Sequence, residues 1–304
     1  MYRFNCLEGG IVDIIERLRK GKGFIAALDQ SGGSSKKTLV NYGFLEKDII
    51  NDDVMFDFIH QMRSRLISNK YFDSKHILGV ILFNKTMKGQ IDGVNTVKYL
   101  SDKGIVSFLK IDLGLDEESD GVQLLKNIDN LDDILKGAKD YGIVGTKMRS
   151  VIKEYNEYGI KKVVEQQFQL ARKIISYGLI PIIEPEVDIN SKDKKNIETY
   201  LKKELLMHLD KMNKEDYIIF KFTLPDIPNF YDPLLKYKNV LRIVALSGGY
   251  DRNKACELLK LNKNMIASFS RALLEGLSIN QNDEEYSDIL SNTIKQIYDA
   301  SVKK

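Results

Sequence analysis

LIPIIEPE (Leu179 to Glu186) and YIIFKFT (Tyr217 to Thr223) are the two stretches whose reading decides the fold. Each is an apolar run of strand length in which charged residues interrupt or close the run. Between them, DKKNIETYLKKELLMHLDKM repeats apolar residues at three- and four-residue spacing, the pattern of a helix. A strand, a helix and a second strand in that order make a parallel crossover, which needs a dozen or more residues to return. Moving outward, the same unit recurs in FIAALD (Phe24 to Asp29), ILGVILF (Ile77 to Phe83), VSFLKID (Val106 to Asp112), IVGTKMR (Ile143 to Arg149), LRIVALSGG (Leu241 to Gly249) and MIASFSR (Met265 to Arg271). Eight such units predict an α/β fold, a (β/α)8 TIM barrel. Residues 1–304 are read as one such barrel domain, because no linker, repeat or low-complexity run divides the chain.

Helical patterns fill the gaps, the longest being DDVMFDFIHQMRSRLISN, IKKVVEQQFQLARKIISYG and the closing YSDILSNTIKQIYDASVKK. Three of the patterns stop at Gly104, Gly142 and Gly178, as helices do that exit through a left-handed residue. The amphipathic stretch Ile11 to Arg19 predicts an extra N-terminal helix closing the bottom of the barrel, and the last pattern predicts a C-terminal helix. Gln30 to Asp53 reads as a long connection at the upper face, and FYDPLLKY as a short helix.

Composition narrows the function. Among 304 residues, 46 basic and 43 acidic side chains nearly cancel, giving a net charge of +3. The lysines are interleaved with acids on helix faces, which argues against nucleic acid as a partner. No apolar stretch is long enough to span a membrane, and the N-terminus lacks the apolar core of a secretory signal. Cys6 and Cys256 are too few for a disulfide framework, so a reduced, cytoplasmic setting is expected. The histidines His60, His76 and His208 lie far apart in sequence and none ends a strand. No metal is therefore expected, since zinc and non-haem iron centres lean on clustered imidazoles. The exposed helices carry no self-complementary patch legible by pattern, and a homo-oligomer remains compatible with them.

In a barrel of this kind the site forms where strands end. Asp29, Lys110, Asp112, Lys147, Arg149, Glu184, Glu186, Lys221 and Arg271 should therefore converge on one face. Alternation puts Glu184 beside Glu186, Lys147 beside Arg149, and Lys110 beside Asp112. Structural ion pairs also gather charge, but so many strand ends together exceed what a structural network needs. A lysine in this position grips phosphate when charged, or attacks a carbonyl when made neutral by apolar surroundings and a neighbouring cation. Lys221, between Phe220 and Phe222, has the most apolar flanks, and Lys147 is the cation that would oppose its charge; position alone leaves Lys147 a rival. The glycine pair in LSGGY (Ser247, Gly248, Gly249) lets backbone approach a phosphate near Arg271. DQSGGSS (Asp29 to Ser35) could form a second cradle with Lys110, although a flexible surface loop is the reading that ranks ahead.

Taken together, GKGFIAALDQSGGS, FLKID, GTKMR, PIIEPE, FKFTLP, VALSGGY and IASFSRAL make the chain resemble the class I fructose-bisphosphate aldolases in their short bacterial form. The resemblance runs along essentially the whole length. It implies EC 4.1.2.13, glycolytic or gluconeogenic chemistry, sugar phosphates as the small-molecule partners, and a covalent Schiff base without metal or other cofactor. It further implies that Lys221 forms the Schiff base, that Glu184 is the principal proton acceptor, and that Glu186, Asp29 and Lys147 serve the catalytic centre. Arg149 would line the sugar-phosphate channel, Ser247, Gly248, Gly249 and Arg271 would hold one phosphate, and Ser31, Ser34 and Lys110 would lie towards the other. Two adjacent carboxylates suit the chemistry if like charge raises the pKa of one of them. Leu113 departs from the family, where relatives often carry a lysine. The role of Tyr298, near a chain end lacking the longer tail of the animal enzymes, is not carried over. A Schiff-base lyase for another ketose phosphate and a non-catalytic sugar-phosphate-binding barrel are the alternatives.

Overall fold

The computed structural model describes residues 10–31 and 33–304; for Gly10, Ile11, Gly33 and Ser34 it describes the backbone only. Cys6 and the side chain of Ser34 therefore lie outside the described part. Eight parallel strands follow one another around the sheet: β1 (Phe24–Leu28), β2 (Ile77–Leu82), β3 (Val106–Lys110), β4 (Gly145–Ile152), β5 (Ile180–Val187), β6 (Ile218–Thr223), β7 (Val240–Leu246) and β8 (Met265–Ala267). Each pairs with its neighbour in sequence, and the Ala27 amide donates to the Phe269 carbonyl at 3.1 Å, joining the last strand to the first. This is the predicted TIM barrel.

The strands are buried on both faces, which is why they read as apolar runs rather than alternations. Inward positions form a core of their own, with Ile25, Phe108, Ile182, Ile219, Val244 and Ile266 among its members. The outward positions, Phe220 and Phe222 among them, pack beneath the helices. Phe108 is one of these inner residues. A β-carbon on Gly145 would fall 2.8 Å from the Phe108 ring and 2.0 Å from the Ile180 carbonyl, so only glycine leaves room for the ring beside β4.

Helix α1 (Gly10–Lys20) closes the lower end as predicted, inserting Ile14 and Leu18 into the inner core. Arg242 of β7 fastens it there, donating to the Leu18 and Gly21 carbonyls at 2.8 and 3.0 Å. These are carbonyls that a helix end leaves without internal partners. Outside the strands lie α2 (Gly33–Tyr42), α3 (Asp52–Ser68), α4 (Asn84–Lys88), α5 (Thr96–Asp102), α6 (Leu131–Asp140), α7 (Glu157–Ser176), α8 (Lys194–Leu209), α9 (Arg252–Lys260), α10 (Arg271–Leu274) and α11 (Asp283–Val302). The last is the predicted C-terminal helix, started by an Asn282–Glu285 capping box.

Two local expectations change. Gln30 to Asp53 is not a long connection: α2 occupies its first half, burying Ser35, Leu39 and Tyr42 at helical spacing, and a 3-10 turn at Glu46–Asp48 follows. FYDPLLKY forms a 3-10 turn over Asp232–Lys236 rather than an α-helix, with Pro233 in its first turn. Strand β4 also runs past Arg149 to Ile152, because its end pairs with β5 on one side and with Val122–Gln123 on the other.

Candidate functional site

Following the inward positions up each strand, the apolar layers give way to charge. Ile182 is succeeded by Glu184, Ile219 by Lys221, Phe108 by Lys110 and Ala27 by Asp29. Register fixes how these meet: Lys110 lies opposite Lys147 across β3 and β4, and Arg149 opposite Glu184 across β4 and β5. The result is a layer in which Lys110, Lys147 and Lys221 face Asp29, Asp112 and Glu184, all strongly buried.

Glu184 is the hinge of this layer. One carboxylate oxygen lies 3.1 Å from Lys221 Nζ and the other 3.0 Å from Lys147 Nζ. Lys147 also reaches Asp29 at 2.6 Å and Asp112 at 3.9 Å. Lys110 Nζ is 2.5 Å from the Asp112 carboxylate and donates to the Asp112 carbonyl at 2.6 Å. Burial by itself would raise the Asp29 and Glu184 carboxyls, but Lys147 and Lys221 overcome it and hold both below the usual carboxylate range. Burial likewise disfavours the Lys147 ammonium, yet Asp29, Glu184 and Asp112 keep it protonated to well above the ordinary lysine range.

Three expectations are corrected here. Lys147 does not confront Lys221 as a bare repelling cation, because Glu184 stands between them. Phe220 and Phe222 do not surround the Lys221 amine: they point outward and stack on each other at 5.3 Å. Nor do Glu184 and Glu186 act as a like-charge pair. Glu186 turns to Arg149, with which it forms a close ion pair at the rim, and Glu184 is held low rather than raised.

The other candidates lie around the upper mouth. The turn after β7 brings Ser247, Gly248 and Gly249 beside Arg271: a β-carbon on Gly249 would be 3.8 Å from its guanidinium. Gly248 adopts φ 64° and packs so close to Ile189 that a β-carbon would come within 2.7 Å. Gly248→Ala should thus displace the turn and cost about 1 kcal/mol of stability. Thermal melting checks this. Ser31 is half-buried just beyond Asp29. Leu113 is exposed after β3, where it offers no charge.

Elsewhere, His60 binds the Gln90 carbonyl, His76 pairs with Asp73, and His208 packs on Phe168. Tyr298 meets the His76 ring at 5.0 Å, beside the start of β2 and hence at the end opposite the site. Among the described residues, no three His, Cys, Asp or Glu side chains are grouped to hold a metal. No described helix is long and apolar enough to cross a membrane.

Two supporting residues carried no signal at the strand ends. Gln167 of α7 is fully buried and holds the main chain of Glu184, accepting its N–H at 2.9 Å and donating to its carbonyl at 3.0 Å. This occurs just past the last paired residues of β5 and β6, Ile183 and Phe220. Arg63 of α3 is also buried, and its place on a helix stripe with Met55, Ile59, Met62 and Leu66 is the clue the pattern held.

A barrel with lysines and carboxylates buried together at its strand ends is an arrangement compatible with the aldolase-type lyases. A family model for class-I fructose-bisphosphate aldolase matches residues 11–228, and the chain belongs to that family. The match includes Asp29, Lys147, Glu184 and Lys221, while Ser247, Gly248, Gly249 and Arg271 lie beyond it. Among solved structures, a fructose-bisphosphate aldolase from Plasmodium falciparum is 19% identical, with a TM-score of 0.72 over 95% of this chain and 92% of that one. A Corynebacterium glutamicum protein is 13% identical, with a TM-score of 0.54 over the same shares. Both support the barrel fold.

Proposed function

We propose that the protein cleaves fructose 1,6-bisphosphate reversibly to dihydroxyacetone phosphate and glyceraldehyde 3-phosphate (EC 4.1.2.13), through a Schiff base on Lys221, as a cytoplasmic enzyme of glycolysis or gluconeogenesis. The observation that carries this reading is the Glu184 carboxylate shared between Lys221 and Lys147 in a buried layer at the strand ends. A lysine becomes a nucleophile only after losing its proton. Glu184 is in contact to receive it.

The neutral amine attacks the C2 carbonyl of the ketose, and Glu184 returns the proton it took from Lys221 to the departing hydroxyl, which leaves as water; the iminium that remains withdraws electrons and Glu184 is again a free carboxylate. Glu184 then accepts the C4 hydroxyl proton as the C3–C4 bond breaks and its electron pair passes into the iminium. The aldehyde leaves, the enamine is protonated at C3, and water hydrolyses the imine. Lys147, paired with Asp29, stands behind Glu184 and helps hold its carboxylate ionised as an acceptor, and Asp29 assists the protonations. Glu186, drawn to Arg149, acts further out, where the two residues line the channel to the mouth. Ser247, Gly248, Gly249 and Arg271 hold the ketose-side phosphate, with backbone N–H groups and one guanidinium as donors. Ser31, Ser34 and Lys110 are assigned to the other phosphate on the family resemblance. No metal or other cofactor is needed, because the iminium supplies the electron withdrawal.

A direct test is to incubate the protein with dihydroxyacetone phosphate, reduce with borohydride and map the adduct by mass spectrometry. An adduct on Lys221 is expected; one on Lys147, or none, overturns the assignment. Cleavage rates on fructose 1,6-bisphosphate, fructose 1-phosphate and sedoheptulose 1,7-bisphosphate then fix the substrate. Exposed Leu113 and the engagement of Lys110 by Asp112 make the second phosphate the point of discrimination. Glu184→Gln should lower kcat by about 10³-fold while a trapped adduct still forms at some rate, which separates the C4 proton transfer from imine formation.

A further inference from the structure

Strand β1 pairs with β2 as far as Leu28 and Leu82, and the chain carrying Asp29 then leaves the ladder. One residue on, the Gln30 carbonyl accepts a hydrogen bond of 2.8 Å from Arg63 Nη2. The same guanidinium donates through Nη1 to Thr86 Oγ1 at 2.7 Å, and Thr86 belongs to the turn of α4 that follows β2. Arg63 is 1% exposed and sits on the apolar stripe of α3. A buried arginine is costly unless its donors are used, and here two of them join the exits of β1 and β2.

We infer that Arg63 is a positioning residue for the proposed aldol cleavage: by clamping the Gln30 carbonyl to the turn after β2, it keeps the Asp29 carboxylate on Lys147. The inference rests on the reading of Lys221 as the Schiff-base lysine. The Lys147–Asp29 contact of 2.6 Å is short, and a shift of the chain at Gln30 by about 1 Å would part the two groups, a displacement that costs catalysis far more than it costs binding. Arg63 also contributes charge. Burial pulls it down to about 9, with Asp29 opposing, so near neutrality it remains a cation beside that carboxylate.

The groups that face Asp29 are Lys147 from β4, Lys221 from β6, Lys110 from β3, Glu184 from β5 and Arg63 from α3. If Arg63 is lost and Asp29 drifts from Lys147, burial then dominates and the carboxyl titrates higher. The acidic limb of the kcat profile must move to higher pH.

The test uses the full chain with Arg63→Met, Arg63→Lys and Thr86→Val, read by borohydride trapping with dihydroxyacetone phosphate, by kcat and KM, and by the pH profile. For Arg63→Met, kcat should fall about 30-fold with KM changed less than about threefold, the Lys221 adduct retained and the acidic limb raised. Arg63→Lys should recover part of kcat, and Thr86→Val should move both quantities the same way by about threefold. A folded Arg63→Met with wild-type kcat and an unmoved acidic limb overturns the inference. Should that variant not fold, unchanged kcat and pH profile in Thr86→Val overturn it equally. Absence of a Lys221 adduct in the wild-type protein instead overturns the aldolase reading, and this inference with it.

Discussion

Lys221→Met should lower kcat by about 10⁵-fold or more and abolish the borohydride-trapped adduct, while leaving the protein folded. The size of the effect follows from the proposed role: if Lys221 forms the imine, then without a primary amine at this position the electron sink for C3–C4 cleavage is lost, and what remains is binding and general electrostatics. Stability should change little. Methionine has nearly the shape of the lysine stem, and Ile219 lies beneath it in the inner core. Glu184 would lose one of its two ammonium partners but keep Lys147 at 3.0 Å, so its carboxylate is not stranded. The measurement is single-turnover cleavage with and without trapping, alongside a thermal melt. An adduct persisting on another lysine would transfer the nucleophile's role, with Lys147 the first position to map. Lys221→Arg sharpens the point: the positive charge beside Glu184 survives while the nucleophile does not. If the ammonium mattered only as a structural cation, arginine would retain activity.

The barrel was legible in the sequence because each strand is buried on both faces and so reads as an unbroken apolar run. Its charged layer was legible because alternation along β3 to β6 carries Lys110, Lys147, Glu184 and Lys221 inward, above Phe108, Ile182 and Ile219. What alternation does not carry is the choice of partner. Glu184 and Glu186 project together, but whether the second carboxylate joins the first or turns to Arg149 depends on a rim contact between neighbouring strands, and it turned to Arg149. The flanks of Lys221 misled for a related reason: residues adjacent in a strand face opposite layers, so Phe220 and Phe222 describe the packing under the helices and not the setting of the amine. Gln167 and Arg63 were hidden among amphipathic helix patterns, where one polar residue on an apolar stripe looks like an imperfection until its hydrogen-bond partners are in place. Helix α2 does not stand out in the sequence because GSSKKTLVNY opens with turn-forming residues and, among its described side chains, buries Ser35, Leu39 and Tyr42.

Lys147→Met should be the most destabilising of the site substitutions, and the sign of its pH dependence should separate it from an ordinary packing defect. In the wild-type layer, Lys110, Lys147 and Lys221 balance Asp29, Asp112 and Glu184. Removing Lys147 takes away the cation that contacts all three carboxylates. Leaving such a group buried without its partner costs about 3–5 kcal/mol. In the wild type, Asp29 and Glu184 titrate below their unfolded values, so their contribution is present above about pH 4.5 and is lost as pH falls through the lowered folded values. Lys147 titrates above its unfolded value, so its contribution is present below about pH 10 and is lost only as pH rises beyond the folded value. Between these limits the wild-type layer should lend stability that varies little with pH. In Lys147→Met the order reverses for Asp29. Burial now dominates, its folded pKa rises above the unfolded value, and the folded state holds a proton that the unfolded chain releases near neutrality. Stability of the variant should therefore increase as pH is lowered from 8 towards 5, the direction opposite to acid denaturation, while kcat falls by about 10²- to 10⁴-fold if Glu184 is the proposed proton acceptor that Lys147 keeps ionised. Thermal melts of both proteins across that range decide the matter. A variant whose Tm runs parallel to the wild type at every pH would mean that Asp29 finds another cation, with Lys110 or Lys221 the candidates already facing it, and that Lys147 is not the centre of the layer's charge balance.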